Sequence, residues 1–81
     1  MTYVYILRSV KNGKFYTGVT SDLRRRFLEH NASGSAYTGK FQPWKLVWYG
    51  AFADRALAER FESYLKTGSG WAYSRKRLVM V

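Results

Sequence analysis

The sequence predicts a small α/β fold of the α+β kind: a three-stranded, mainly antiparallel sheet flanked by helices, in the order β-β-α-β-α-α. Three observations predict it. Two runs rich in β-branched and aromatic residues, Tyr3 to Leu7 and Phe15 to Val19, are separated by Asn12-Gly13, a dipeptide suited to a hairpin because both central positions of a type I′ turn need φ > 0. A third such run, Trp44 to Phe52, follows Pro43. Between Asp54 and Lys66, apolar residues recur at helical spacing.

Each element has its own reason. Tyr3 to Leu7 suits a strand covered on both faces, with Tyr3, Tyr5 and Leu7 on one side and Val4 and Ile6 on the other. If Asn12 and Gly13 form a two-residue loop, Ser9 faces Tyr16 and Leu7 faces Gly18. Tyr5 and Tyr16 then share a sheet face but lie about four residues, or roughly 13 Å, apart along the strands. Ser21 and Asp22 offer side-chain oxygens to cap a helix that runs through Leu-Arg-Arg-Arg-Phe-Leu-Glu-His. Asn31 to Phe41, rich in Gly, Ser, Ala and Thr, reads as a loop in which Tyr37 and Lys40 are open to a nucleic-acid contact or serve as a plain connection. Trp44 to Phe52 is the third strand, interrupted or bulged near Gly50. Asp54 caps the next helix, in which Tyr64, Leu57, Phe61, Leu65 and Ala58 form an apolar arc with Glu62 at its edge. Thr67 to Gly70 ends that helix with glycines compatible with the left-handed region, and Trp71 to Val81 forms a short final helix around Arg75-Lys76-Arg77.

Composition narrows the function. At 81 residues the chain allows one small domain, 1–81, and its 47% hydrophobic residues supply a core. Without cysteine there is no disulfide and no Cys-ligated metal. No run reaches the ~18 apolar residues of a membrane span, and no signal-peptide pattern follows Met1, so a soluble cytoplasmic protein is expected. Fourteen Lys and Arg against five acids give a formal charge of +9. On so small a domain that field favours a polyanionic partner, and the competing reading is a basic, solubilising surface.

The basic helix holds the anomaly. At 100° per residue, Leu23, Phe27, Arg26 and His30 fall at about 0°, 40°, 300° and 340°, so two apolar and two cationic or titratable side chains share one stripe. Arg24 and Arg25 lie on the opposite arc and read as backbone-contacting or solvated charges. With one histidine and no cysteine, His/Cys zinc sites and Cys-His nucleophiles are unavailable. No nucleophile elbow, P-loop or dinucleotide fingerprint occurs. Tyr, Arg, His and one Glu remain, a set suited to phosphate chemistry.

Tyr3-Val4-Tyr5 and Tyr16-Thr17-Gly18, with Arg26 ten residues after Tyr16, His30 one turn later and Glu62 in the helix after the third strand, resemble the GIY-YIG nuclease domain over nearly the whole chain. The likeness is to small stand-alone bacterial members related to the N-terminal nuclease domain of the excision-repair excinuclease. The resemblance implies a metal-dependent endonuclease, in a DNA-repair setting, acting on branched, damaged or single-stranded DNA as a monomer away from membranes. It implies one Mg²⁺ or Mn²⁺ on Glu62, charge neutralisation by Arg26, and a water positioned or deprotonated by Tyr5 or Tyr16 with help from His30. Gly18 is the motif glycine. Arg24, Arg25, Lys40, Arg75, Lys76 and Arg77 are the candidate DNA-binding cations. An unperturbed tyrosine has a pKa of about 10, so the base role needs a cationic neighbour, for which Arg26 is placed. The chain departs from the pattern where Tyr3 replaces a glycine, Thr17 an isoleucine, and Val19 the lysine of excision-repair members. A nucleic-acid-binding module with little catalysis is therefore the alternative, and an adaptor using Trp71 and Tyr73 is a third. Taken singly, Glu62 is also placed to pair with Lys66 at i,i+4.

Overall fold

The computed structural model describes residues 1–32 and 40–79. Tyr37 lies outside the described residues. Strands β1 (Thr2–Ser9), β2 (Phe15–Thr20) and β3 (Trp44–Phe52) form one antiparallel sheet in the order β2-β1-β3. Helix α1 (Leu23–Asn31) follows β2, and α2 (Arg55–Leu65) and α3 (Gly68–Tyr73) follow β3. Helix α3 runs directly into a π-helical segment, Ser74–Val79. The element order and the mixed class are those the sequence predicts.

Because β1 is central, its alternating side chains feed two different layers. Val4 and Ile6 pack with Ala58 and Leu65 of α2, flanked by Phe15, Val19, Phe52 and Phe61. Tyr5 and Leu7 pack with Trp44, flanked by Tyr16, Leu23, Phe27 and Phe41. Burying each large aliphatic side chain of the first layer stabilises the fold by about 1.5–3 kcal/mol. The second layer has spent some of that area on polar groups, His30 among them, with no exposed surface.

Local chemistry sets the helix starts. Asp22 accepts a hydrogen bond from the Arg25 amide at 3.1 Å, and Asp54 one from the Ala56 amide at 2.8 Å. Asn31 then ties the end of α1 to the start of β3: its Nδ2 donates to the Trp44 carbonyl at 3.1 Å, and the Trp44 amide donates to its Oδ1 at 2.6 Å.

Four expectations are corrected. The hairpin register is shifted by two residues, pairing Leu7 with Tyr16 and Tyr5 with Gly18. The Ser9 amide donates to the Lys14 carbonyl at 2.8 Å, leaving Val10 to Gly13 as the loop. The buried Ser9 hydroxyl accepts from the Lys11 and Asn12 amides at 3.1 and 3.2 Å, which satisfies the longer loop. Among the described glycines only Gly13 has positive φ, at 76°, the left-handed region that glycine adopts without steric cost. Second, the irregularity in β3 lies opposite Ile6 and Leu7, which pair with Trp48 and Leu46 and leave Val47 as the extra residue; it is not at Gly50. Third, the glycines after α2 are not left-handed. Thr67 caps α3 by accepting from the Gly70 amide at 3.1 Å. Gly70 is there for close approach, since a Cβ would run into the Tyr64 carbonyl oxygen and within 2.8 Å of the Leu65 Cα. Fourth, α2 buries Ala58 and Leu65 but leaves Leu57 and Tyr64 exposed. Its inward face is turned towards Glu62, whose side chain is only 16% exposed.

Candidate active site

The two-residue register shift decides the geometry. It makes Tyr5 and Tyr16 diagonal neighbours on one sheet face, with ring centroids 6.4 Å apart. The expected gap of roughly 13 Å closes without a bulge. His30 comes down from α1 onto both, its ring 5.7 Å from Tyr5 and 4.9 Å from Tyr16. The Tyr5 hydroxyl and His30 Nε2 share a hydrogen bond of 2.8 Å. Leu23 and Phe27 pack beside them, so the mixed stripe of α1 faces the sheet as its spacing predicts. Arg24 and Arg25 are exposed.

Gly18 has a steric role. A Cβ there would strike the Tyr5 hydroxyl oxygen and stand 2.6 Å from Tyr5 Cζ. The tyrosine side chain lies across the edge strand where β2 carries no side chain.

Charge is distributed unevenly. Burial pushes the Tyr5 phenol up to about 12, and Tyr16 and Glu62 push the same way, while a hydrogen bond from Arg26 and its charge pull down. Burial also lowers His30 to about 4, with the Arg26 charge helping and Glu29 opposing. At neutral pH the pair is therefore an uncharged phenol on an uncharged imidazole. For Arg26, burial disfavours the charge, but hydrogen bonds to Glu29 and Tyr5 outweigh it, so the guanidinium is held more firmly charged than usual. Arg26 Nη1 donates to Glu29 Oε1 at 3.1 Å and Arg25 Nε to Glu29 Oε2 at 3.2 Å. These bonds, Arg26's first, hold the Glu29 carboxyl below its usual range.

Glu62 approaches from the other layer. It sits on α2, yet its charge is felt at Tyr5, and it is ion-paired with Lys66. Lys66, Tyr16 and Thr17 line a cleft of about 350 Å³ along β2. The cleft of about 480 Å³ beside Tyr3 and Tyr49 includes Arg24 but none of Tyr5, Tyr16, Arg26, His30 or Glu62. Lys40, Lys76 and Arg77 are exposed. Arg75 lies over the Phe15 and Trp71 rings at 5.3 and 5.2 Å.

The GIY-YIG catalytic domain matches residues 1–73. The chain belongs to the GIY-YIG family. It is 40% identical over 67 residues to the UPF0213 protein CPE1444 of Clostridium perfringens, covering 82% of this chain and 71% of that protein. A UPF0213 protein of Streptococcus pneumoniae is 38% identical over 65 residues, 79% of this chain and 65% of its own. The chain thus spans about two thirds of the length of these relatives. The solution structure of the UPF0213 protein BH0048 from Bacillus halodurans superposes with a TM-score of 0.54 at 36% identity, covering 90% of this chain and 81% of that one. GIY-YIG domains are generally nucleases that use divalent metal ions, and a nuclease domain implies a nucleic-acid substrate.

The donor set fits a single hydrated divalent ion. Among the described residues no three His, Asp or Glu side chains converge, and Glu62 is a largely buried carboxylate paired with Lys66, which lines the β2 cleft. Mg²⁺ commonly takes one or two protein carboxylates and fills its octahedron with waters and phosphate oxygens. No helix among the described residues is long and apolar enough to cross a membrane.

Three residues around the tyrosine cluster escape a motif reading. Trp44, 2% exposed, stands 6.2 Å from the Tyr16 ring. Asn31 anchors the strand that carries it. Glu29 orients Arg26, and its i,i+3 and i,i+4 spacing from Arg26 and Arg25 is a signal the sequence does contain.

Proposed function

We propose that this chain is a metal-dependent endonuclease that hydrolyses DNA phosphodiester bonds, with branched or single-stranded DNA as substrate. The observation that carries the reading is the convergence of Tyr5, Tyr16 and His30 on one sheet face, with Arg26 directed at Tyr5. Arg26 binds a non-bridging phosphate oxygen and offsets the charge that develops on it. Tyr16, half-buried and lining the β2 cleft, orients the attacking water. Tyr5 is buried and strongly disposed to keep its proton. It serves with neutral His30 as the hydrogen-bonded pair behind Tyr16 that holds the tyrosine cluster in place. Glu62, which pairs with Lys66 in the free protein, is the carboxylate that would hold the divalent ion, and the ion would supply charge neutralisation at the scissile phosphate.

A second reading, a DNA-binding module with weak catalysis, is favoured by Val19. That position, a lysine in excision-repair members, packs here against the apolar Val4, Ile6, Ala58 and Leu65 cluster. The two readings separate on incubation with branched, single-stranded and duplex DNA in Mg²⁺ or Mn²⁺. The nuclease reading expects products from the wild type and a loss of roughly 100-fold in Glu62→Ala. It fails if the two behave alike on every substrate.

A further inference from the structure

The β2 edge carries a second chemistry beside the tyrosines. The cleft of about 350 Å³ is lined by Phe15, Tyr16, Thr17, Leu65, Lys66 and Trp71. Trp71 is a large apolar side chain with 43% of its surface exposed. It packs edge-on against Phe15, with centroids 5.5 Å apart and planes at 70°. The Arg75 guanidinium caps both rings, and Arg8 lies over Phe15 at 5.5 Å. The exposed part of the indole is ring surface that a flat ligand can reach. Here Lys66, Arg75 and Arg8 surround the aromatic pair with positive charge on a chain of formal charge +9. Flat aromatic surface interleaved with cations matches one ligand chemistry, a base with its phosphate attached. The rings and the guanidinium plane accept a base by stacking, and the lysine meets the backbone. A paired base inside a duplex has no free face to present there.

We infer that the Phe15/Trp71 cleft binds an unpaired nucleotide of a DNA strand, its base against Trp71 and Arg75 and its phosphate at Lys66, one step from Tyr16. The inference rests on the endonuclease reading and specifies its substrate: a strand with at least one unstacked base next to the scissile bond. Lys66 then has two partners in turn, Glu62 in the free protein and a backbone phosphate in the complex.

The test is metal-free, so that binding is read without cleavage. Tryptophan emission of the full chain is followed in EDTA during titration with a short oligothymidylate, with the same strand as a duplex, and with an oligouridylate. The single DNA strand quenches the wild type and leaves Trp71→Phe unquenched, with Trp44 and Trp48 still present as reporters. Trp71→Ala binds a labelled single strand roughly 5- to 100-fold more weakly while duplex affinity is unchanged, and Trp71→Phe, which keeps a ring, holds most of the single-strand affinity. Lys66→Gln lowers the salt slope by about one. Equal losses on single strand and duplex, unchanged single-strand affinity in Trp71→Ala, or tighter binding of the uridine strand overturns the assignment. If Trp71→Ala does not fold, quenching that persists in Trp71→Phe overturns it alone. Cleavage that depends on Glu62 but ignores Trp71 sinks this subsite and leaves the nuclease reading intact. Quenching by single strands without Glu62-dependent cleavage does the reverse.

Discussion

The two faces of β1 are built from adjacent residues and serve opposite ends. Val4 and Ile6 point to α2 and meet aliphatic and aromatic side chains. Tyr5, one residue away, points to α1 and meets a histidine, a second tyrosine and an arginine. A helix that only covered a sheet would fill positions 26 and 30 with apolar groups, as α2 does with Ala58 and Leu65. Helix α1 keeps Leu23 and Phe27 for attachment and gives the rest of its stripe to polar groups. The difference teaches that one strand can carry stability on one side and chemistry on the other, provided the polar side satisfies its own hydrogen bonds.

Substitutions can break the comparison face by face. Ile6→Ala empties part of the α2 layer, where Ile6 is 2% exposed, and costs about 2–5 kcal/mol by denaturant unfolding. Cleavage by the folded fraction stays near wild type. On the other face, pH is the probe. Folded His30 stays neutral down to about pH 4, whereas the unfolded chain takes up the proton near 6.5. The unfolded state therefore binds more protons between these values, and stability falls as pH drops from 6.5 to 4, by on the order of 2–3 kcal/mol in all. Unfolding measured across that window in wild type and His30→Gln shows the slope in the first and a flatter line in the second. Gly18→Ala places a methyl group against Tyr5 and costs about 1–3 kcal/mol. Because it pushes the hydroxyl off His30, cleavage falls by roughly 100-fold, more than its stability loss explains.

Much of the fold is legible in the sequence, and where the two differ the cause is tertiary packing. Strand alternation placed Tyr5 and Tyr16 on one face because a register shift of two preserves parity. It misjudged their separation, since a buried Ser9 hydroxyl stabilises a longer loop than Asn12-Gly13 signals. Helical periodicity put Arg26 and His30 against the sheet. On α2 it gave too much weight to Leu57 and Tyr64, because the rotation of that helix is set by what Val4 and Ile6 offer it. Gly70 was legible as a glycine but not as a close contact between two helices. From sequence, Glu62 fits both a metal ligand and the partner of Lys66. The ion pair is formed, and the metal role is a proposal about the same carboxylate. Trp44 and Asn31 became visible only when β3 was laid beside α1.

The central claim is that the α1 face of the sheet is the phosphodiesterase site. Cleavage of single-stranded and branched DNA by Arg26→Gln, set beside its thermal unfolding, tests it most directly. Arg26 is partly exposed, with a side-chain accessibility of 33%, so the variant folds and melts close to wild type. The account predicts that its cleavage nevertheless falls roughly 100-fold or more. Wild-type cleavage rates in a folded Arg26→Gln would contradict it.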